Sequence, residues 1–306
     1  MMNVFLFAVL CFSWGSTWVA IKVGVATVPP LFFAGTRFVA AGLLILGAIA
    51  VFRGKKELIV VKQDIWPLIL MSSLVISICF AMIFWGEQFV SASVTAIVVQ
   101  GMIPIFLPFF AFVLLKEELN FFRLVSIVLG VAGIACIFVP GTVGLDKTDG
   151  NFQFLGLVAI VIGTLAYCYG SVWGRPLLAR NSAVSLAGWQ NLLGGIIVLF
   201  GSLLVEVPFH GAKSFTAIFT AHAFFAWIWL VLIGSAVGFV LYIVLLKAWG
   251  PSKVSPYAFA TPLVAIILDY VLFSQLIGTI EFIGLIIIFV ALGFAFYRPH
   301  RKENSV

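Results

Sequence analysis

The sequence predicts an all-α membrane protein with ten transmembrane helices, arranged as two inverted repeats of five helices each. Hydrophobic residues make up 63% of the 306 residues, charged residues only 9%, and the mean hydropathy is +1.24. A soluble domain of this length could not cover its surface with so little charge, so most of the chain is expected in lipid. The apolar residues form ten long runs, and one short motif occurs once in each half of the chain.

Each run is long enough, at about 20 residues, to cross about 30 Å of hydrocarbon as a helix. Helices are expected because an open strand edge could not satisfy its backbone hydrogen bonds in lipid. In chain order, the predicted spans cover residues 4–23, 31–52, 65–86, 92–115, 120–139, 153–174, 184–206, 223–247, 254–274 and 279–297.

The repeated motif is aromatic–Gly–Ser–x–Trp, at residues 14–18 in the first span and at residues 169–173 in the sixth. Further pairs follow in the same order. The segment 37–42 of span two aligns with 190–195 of span seven, and Pro104 of span four corresponds to Pro262 of span nine. Both prolines interrupt a spanning helix and permit a kink. The matches indicate two related halves.

A polar connection at residues 140–151 separates the first five spans from the last five. It predicts a first repeat at residues 1–145 and a second at residues 146–306, the latter with a C-terminal tail. Because each half has an odd number of spans, the second half enters the membrane from the opposite face. Many secondary transporters are built from such inverted repeats.

Positive charge predicts the orientation. Most of the 17 Lys and Arg residues lie in one set of alternate loops and in the C-terminal tail, whereas the other set of loops holds Lys22, Lys147 and Lys213. Cytoplasmic loops are enriched in Lys and Arg, so both termini are expected in the cytoplasm. The expected location is a bacterial inner membrane, crossed many times. Orientation also explains the net charge of +6 without a nucleic-acid partner.

Several segments together resemble one family. They are Trp14–Trp18, Arg37–Gly42, Trp85–Gln88 followed by Ser91 and Ala92, Pro104 with Lys116–Leu119, and Ser255–Pro262. The combination is similar to the EamA-type ten-helix branch of the drug/metabolite transporter superfamily, over nearly the whole chain. The resemblance implies an inverted five-plus-five fold with a central substrate cavity, and activity usually as an exporter of small metabolites.

Aromatic residues of the repeated motif are the first candidates for a binding site. Trp14 and Trp18 are four residues apart and share one helix face, as do Tyr169 and Trp173. They could form an aromatic cavity wall that suits amphiphilic or cationic solutes. The alternative is interface anchoring or helix packing. The Gly-Ser pair between the aromatic residues is interpreted as structural, because small residues allow close helix approach.

Three charged residues are candidates for coupling or gating. Arg37 is the basic residue that lies well inside a span, where a charge costs about 2.5–3.5 kcal/mol on insertion scales and therefore needs a partner or water. Glu87 and Asp269 are expected at a similar depth, so an ion pair between Arg37 and one of them is predicted. Either acid could also carry a coupling proton. The alternatives are a snorkelling Arg37 and two acids with a structural role.

Neutral polar residues within spans should hydrogen-bond to another helix or to a solute. The predicted substrate-binding residues of this kind are Gln100, Tyr242, Tyr257 and Thr261, of which Gln100 and Tyr257 lie near the two prolines. Gln190 and Asn191 are interpreted as bonds between neighbouring helices.

No metal or other cofactor is expected, because the three histidines are far apart and have no Cys or carboxylate at ligand spacing. No nucleotide-binding motif occurs, so ATP is not expected to drive the protein directly. The expected partners are a small-molecule substrate, the lipid bilayer, a second copy of the chain in a homodimer, and protons if transport is coupled.

The function predicted first is a secondary active exporter of small organic metabolites, such as amino acids or amphiphilic compounds. A facilitative uniporter or an importer is the alternative within transport. A membrane-embedded enzyme is disfavoured because no cluster of acid, base and nucleophile is evident. A channel or a non-transporting subunit would lack a site that can be closed from both sides.

Overall fold

The structure is a computed structural model that describes residues 2–117, 121–137, 150–208, 215–249, 254 and 257–296. Within these ranges the chain is nearly all helical and contains no strand. We label the ten long helical units α1 to α10. They are α1 Met2–Val25, α2 Pro30–Phe52, α3 Ile65–Ser72 continuing through Ser73–Ile78 to Cys79–Gly86, α4 Ala92–Leu115, α5 Phe121–Ile137, α6 Gly150–Trp173, α7 Ala183–Val205, α8 Ala221–Trp229 continuing through Leu230–Val237 to Gly238–Trp249, α9 Tyr257–Phe273 and α10 Thr279–Phe296.

These units follow the ten predicted spans in order. Among the described residues, seven helices are long and apolar enough to cross a membrane, and three shorter apolar helices lie in α5, α9 and α10. The protein is therefore an all-α, multi-pass membrane protein, as predicted. The predicted division between residues 145 and 146 and the predicted C-terminal tail lie outside the described residues.

A π-helical turn interrupts the third helix of each half, which the sequence analysis did not predict. In α3 it covers Ser73–Ile78, and in α8 it covers Leu230–Val237. Such turns occur frequently at functional sites. The Ser77 hydroxyl in the first turn donates to the Gly194 carbonyl of α7 at 3.0 Å, so this turn is tied to the other half of the chain.

The helices pack in a pattern that matches the proposed repeat. In the pairs α2–α7, α4–α9 and α5–α10, each helix packs on the corresponding helix of the other half of the chain. Helix α1 packs on α9 and α8, and α6 correspondingly packs on α4 and α3. At the contact between α2 and α7, Gly42 and Gly195, the last residues of the aligned segments 37–42 and 190–195, allow the two helices to approach closely. A Cβ on Gly42 would lie 2.5 Å from the Leu192 backbone nitrogen, and one on Gly195 would lie 2.6 Å from that of Val39.

The glycines of α5 pack against other helices inside the protein. A Cβ on Gly130 would lie 2.1 Å from Ile105 Cδ1 in α4, and one on Gly133 would lie 2.8 Å from Ile288 Cγ1 in α10. They bring α5 against its neighbours, so they do not support a homodimer.

We call the face at which α1 begins the near face and the face at which α1 ends the far face. At the near face, the buried Asp64 before α3 binds Arg180 and accepts from Asn181 Nδ2 at 2.7 Å, both of which precede α7. At the far face, the Glu206 carboxylate at the end of α7 accepts from the backbone nitrogens of Leu31 and Phe32, at 2.7 and 2.9 Å. It thus satisfies free donors at the N-terminus of α2.

Candidate substrate cavity

A cavity of about 270 Å³ lies within the bundle, between helices of both halves. Helices α1, α2, α3 and α4 contribute to its wall from the first half, and α6, α8 and α9 from the second. Ile21 and Ile83, both buried, are the lining residues of α1 and α3 that lie nearest the far face. The volume is close to the lower end of the range for small-molecule sites, so the cavity suits a small solute.

Trp14 forms part of the wall with an aromatic cluster. Its ring centroid lies 4.8 Å from that of Tyr257 and 5.4 Å from that of Tyr242, and the two tyrosines are 5.9 Å apart. Its Nε1 donates to the Gly234 carbonyl in the π turn of α8 at 3.2 Å. Of the two tyrosines in this cluster, both predicted to bind substrate, Tyr257 lines the cavity, whereas Tyr242 packs against Trp14 without lining it.

Glycines in α8 make this arrangement possible. A Cβ on Gly238 would lie only 2.3 Å from Trp14 Nε1, so a larger residue would displace the indole. Gly234 itself lines the cavity, and a Cβ there would lie 2.8 Å from Thr17 Cγ2 and 3.7 Å from Arg37 Nη2. The π turn therefore leaves open space beside Arg37.

Gln100 of α4 also lines the cavity, and Thr261 of α9 holds it. The Gln100 Nε2 donates to Thr261 Oγ1 at 2.9 Å, and Thr261 is fully buried. Both were predicted to bind substrate. Gln100 is placed to do so directly, and Thr261 can act by fixing the Gln100 amide, whose oxygen stays available as an acceptor.

Arg37 lines the cavity without the predicted ion pair. Its side chain is buried, and neither Nε nor Nη1 has a hydrogen-bond partner among the described residues. Its guanidinium carbon instead lies 4.6 Å from the ring centroid of Phe38 and 5.8 Å from that of Phe80. The predicted pairing with Glu87 or Asp269 is therefore wrong in this conformation. Aromatic faces hold the cation while leaving its N–H groups free.

Asp269 and Glu87 are buried at the far face and do not line the cavity. The Asp269 Oδ2 accepts from the Ser93 backbone nitrogen at 2.9 Å and from the Ser93 hydroxyl at 2.6 Å, so it caps the N-terminus of α4. Glu87 differs, because both of its carboxylate oxygens are buried without a partner within the described part of the chain. Lys22, Arg37 and Asp269 all interact electrostatically with Glu87.

Lys22 has a role that the sequence analysis missed, because it was assigned to a loop. Its Nζ donates to three backbone carbonyls at the end of α3, those of Glu87, Gln88 and Val90, at 2.8 to 3.2 Å. A cation at this position satisfies free carbonyls and interacts favourably with the helix dipole.

Tyr169 and Trp173 do not line the cavity, contrary to the prediction. Tyr169 is 37% exposed and contacts the Phe110 ring edge-on, and Trp173 packs against the apolar core. The reason is a different rotation of α6. In α1, Gly15 of the motif faces α9, where its Cβ would meet Val264 Cβ at 2.5 Å, but Gly170 in α6 faces α3, where its Cβ would meet Leu74 Cβ at 2.7 Å.

Tyr167 lines the cavity from α6 instead. The sequence analysis missed it, although a signal was present. Gly163 and Gly170 lie four residues before and three residues after it, which places all three on one face of α6. A Cβ on Gly163 would lie 2.6 Å from the Cys79 carbonyl oxygen of α3, so this face points into the bundle.

The described residues offer no site for a metal ion. Within them, no three side chains of His, Cys, Asp or Glu lie close enough together to hold one. The residues that line the cavity supply hydrogen-bonding groups, one charge and aromatic surface.

The chain matches the EamA-like transporter family at residues 1–139 and 154–297. It belongs to this family. Family membership agrees with the resemblance found from the motifs, and the match falls into two segments with the polar connection between them.

Relatives carry transporter names. The chain is 29% identical over 284 residues to an uncharacterized inner membrane transporter, YedA, of Escherichia coli K12, covering 91% of this chain and 85% of that protein. It is 26% identical over 228 residues to an uncharacterized transporter, YoaV, of Bacillus subtilis, covering 71% of this chain and 75% of that one. A solved crystal structure is 16% identical and superimposes with a TM-score of 0.63, covering 96% of both chains. That likeness shows the fold.

Proposed function

We propose that the protein is a secondary active transporter that exports a small organic metabolite by alternating access around the cavity. The observation that carries the proposal is a cavity of about 270 Å³, bounded by helices of both halves and lined by Arg37, Gln100 and aromatic side chains. A packed structural bundle has no need of charged and amide groups at such a place, because each costs free energy in lipid. Membership of a transporter family supports the same conclusion.

The proposed repeat provides two parts that can move relative to each other. We propose two inverted halves, with both termini in the cytoplasm and the chain in a bacterial inner membrane. The two matched segments, the π turns in α3 and α8, and the pairing of α1–α8 with α6–α3 support this division. The name of the relative YedA supports the location. Rocking of one half against the other would expose the cavity to each face in turn.

For coupling, we propose that Glu87 carries a proton. Ser93 donates two hydrogen bonds to one carboxylate oxygen of Asp269, whereas neither of the buried Glu87 oxygens has a donor among the described residues. Protonation would remove the cost of burying an unpartnered charge and favour the closed state. A transporter of this kind would respond to a pH gradient, and a facilitative uniporter would not.

Solute counterflow in proteoliposomes tests the proposal. Vesicles are loaded with members of a metabolite library, and uptake of the same labelled compound is followed. A carrier exchanges the label for unlabelled solute, whereas an enzyme converts it without exchange. Failure of a folded, reconstituted protein to exchange any member would contradict the transport proposal.

Coupling is tested on the exchanged solute. In the wild type, a pH gradient should drive net uptake or efflux, and Glu87→Gln should abolish that response while leaving counterflow intact. Asp269→Asn serves as the matched control, because it should lower stability without removing the pH response. Gradient-driven transport that survives in Glu87→Gln would refute the assignment.

A further inference from the structure

We infer that the cavity binds the carboxylate of a small organic anion, with Arg37 as its main partner. The inference rests on the proposed transport function and names the class of solute for that same cavity. Three features of the protein support it: the hydrogen-bond donors of the lining residues, the position of the nearby acids, and the shape of the guanidinium site.

Two of the residues that line the cavity contain buried donors without acceptors. Arg37 is 6% exposed and Trp18 is 7% exposed, and both line the cavity. The Arg37 Nε and Nη1 and the Trp18 Nε1 have no acceptor anywhere in the described ranges. A buried donor left unpaired costs about 1–3 kcal/mol, and more when it is charged. These N–H groups therefore favour a ligand that brings acceptor oxygens.

The acids near Arg37 in the described part of the chain do not supply that acceptor. Glu87 interacts with Arg37 only at a distance, without a hydrogen bond, and it is fully buried outside the cavity wall. Asp269 is engaged by Ser93, and the second cation, Lys22, is engaged by three backbone carbonyls. Among the described residues, those that line the cavity present a solute with one positive charge and no carboxylate.

The guanidinium is held in place for a planar ligand. The Phe38, Phe80 and Phe84 rings lie 4.6, 5.8 and 5.9 Å from its central carbon, which restrains the group without using its N–H donors. A restrained guanidinium matches a carboxylate with two parallel hydrogen bonds. Gly234 keeps the space beside Nη2 open, since a Cβ there would lie 3.7 Å from that nitrogen.

The rest of the cavity suits an apolar body. Trp14, Phe80, Tyr167 and Tyr257 contribute aromatic surface, and Gln100 offers one amide oxygen. From the sequence, an aromatic wall for amphiphilic or cationic solutes was predicted. The position of Arg37 in the cavity wall instead favours a solute with an anionic head group. The solute class is a small monocarboxylate with an apolar or aromatic part.

The test compares compounds that differ in the head group. Thermal unfolding of the purified protein is followed with aliphatic and aromatic monocarboxylates, their amides and their amines, for example phenylacetate, phenylacetamide and phenethylamine. Phenyl phosphate is included to separate a carboxylate site from a general anion site. One or more carboxylates should raise the unfolding temperature, and the matched amide and amine should not.

Variants then assign the site. Arg37→Gln should weaken carboxylate binding by about tenfold or more, because it removes a charged partner. Arg37→Lys keeps the charge and should retain part of the affinity. If Arg37→Gln is too unstable to purify, the change in carboxylate affinity is measured on Arg37→Lys instead. Lys55→Gln, at an exposed near-face position, is the matched control for loss of one positive charge.

Three outcomes would overturn the inference. They are stabilisation of the wild type by no carboxylate of the panel, equal stabilisation by carboxylate and amide, and unchanged carboxylate binding in both Arg37 variants. Tighter binding of phenyl phosphate than of any carboxylate would refute the carboxylate class as well. Counterflow distinguishes these failures from failure of the transport proposal, because exchange of amides or amines alone would leave transport standing and remove only the anionic class.

Discussion

At the scale of single residues, side chains that line the cavity differ from side chains that support them. Gln100, Tyr167 and Arg37 face the open volume, whereas Thr261 fixes the Gln100 amide from behind. Burial alone does not distinguish the two groups, because Thr261 is fully buried and Arg37 almost so. What distinguishes them is whether the side chain lines the open volume.

Tyr167 and Tyr169 provide a matched pair for a residue-scale prediction. Tyr167 lines the cavity, and Tyr169, two residues along the same helix, is exposed and contacts Phe110. Tyr167→Ala should reduce the efficiency of solute exchange by about tenfold, because a buried aromatic contact is lost. Tyr169→Ala should leave exchange within about twofold of wild type. Counterflow rates of the two variants check this, and equal losses would contradict the placement of α6.

Residue identities were only partly predictable from the sequence. Trp14, Trp18, Gln100, Tyr257 and Arg37 were named from their types and spacing, and the structure places all five at the cavity. Tyr169 was named because its motif repeats that of Trp14. A repeated motif fixes the residue types but not the rotation of the helix that carries them. That rotation depends on which neighbouring helix packs against the glycine of the motif.

At the scale of helices, close packing through glycine stabilises the central pair. Two glycines of α2 differ in their surroundings. Gly42 faces the Leu192 backbone of α7, whereas a Cβ built on Gly47 would meet no described atom of a neighbouring helix within 4 Å. Gly42→Ala should lower the unfolding temperature markedly, because the new Cβ would lie 2.5 Å from the Leu192 backbone nitrogen and α7 would have to shift. Gly47→Ala should be neutral or stabilising by up to about 1 kcal/mol, because Ala favours helix. Thermal unfolding in one detergent compares them, and a destabilising Gly47→Ala would argue against this interface.

A second helix-scale prediction concerns the far-face cap of α2. Glu206→Ala removes the acceptor for two backbone N–H groups and should destabilise the protein by about 1–2 kcal/mol. Glu57→Ala is the control, because the exposed Glu57 pairs with Arg53 at 3.7 Å and such surface pairs contribute about 0–1 kcal/mol. Denaturation of both variants measures the difference. If the two losses were equal, Glu206 would not be acting as a cap.

The helix scale also shows what periodicity and length can and cannot predict. The helical units of the described residues follow the ten predicted spans in order, and seven of them are long and apolar enough to cross a membrane. The π turns in α3 and α8 were not predicted, since neither contains a proline and their residues are as apolar as those of an α-helix. Their position depends on contacts with other helices, such as that between Ser77 and Gly194.

At the scale of the whole molecule, the proposed inversion makes a topological prediction. Lys55, between α2 and α3, should face the cytoplasm, and Thr220, before α8, should face the outside; both are exposed. In a background without the four native cysteines, Thr220→Cys should react with an impermeant maleimide on intact cells. Lys55→Cys should react only after permeabilisation. Labelling of both on intact cells would contradict two halves of opposite polarity.

The π turn of α3 decides which residues of that helix reach the cavity. If Ser73–Ile78 formed a regular α-helix with the same number of residues, everything beyond this segment would turn by about 100°. Cys79, Phe80 and Ile83 would then leave the wall, although none of them had been substituted. Loss of the π turn without loss of a residue is thus a route by which a related protein could acquire a different solute, and an alignment that ignores the turn would compare residues that do not occupy the same place.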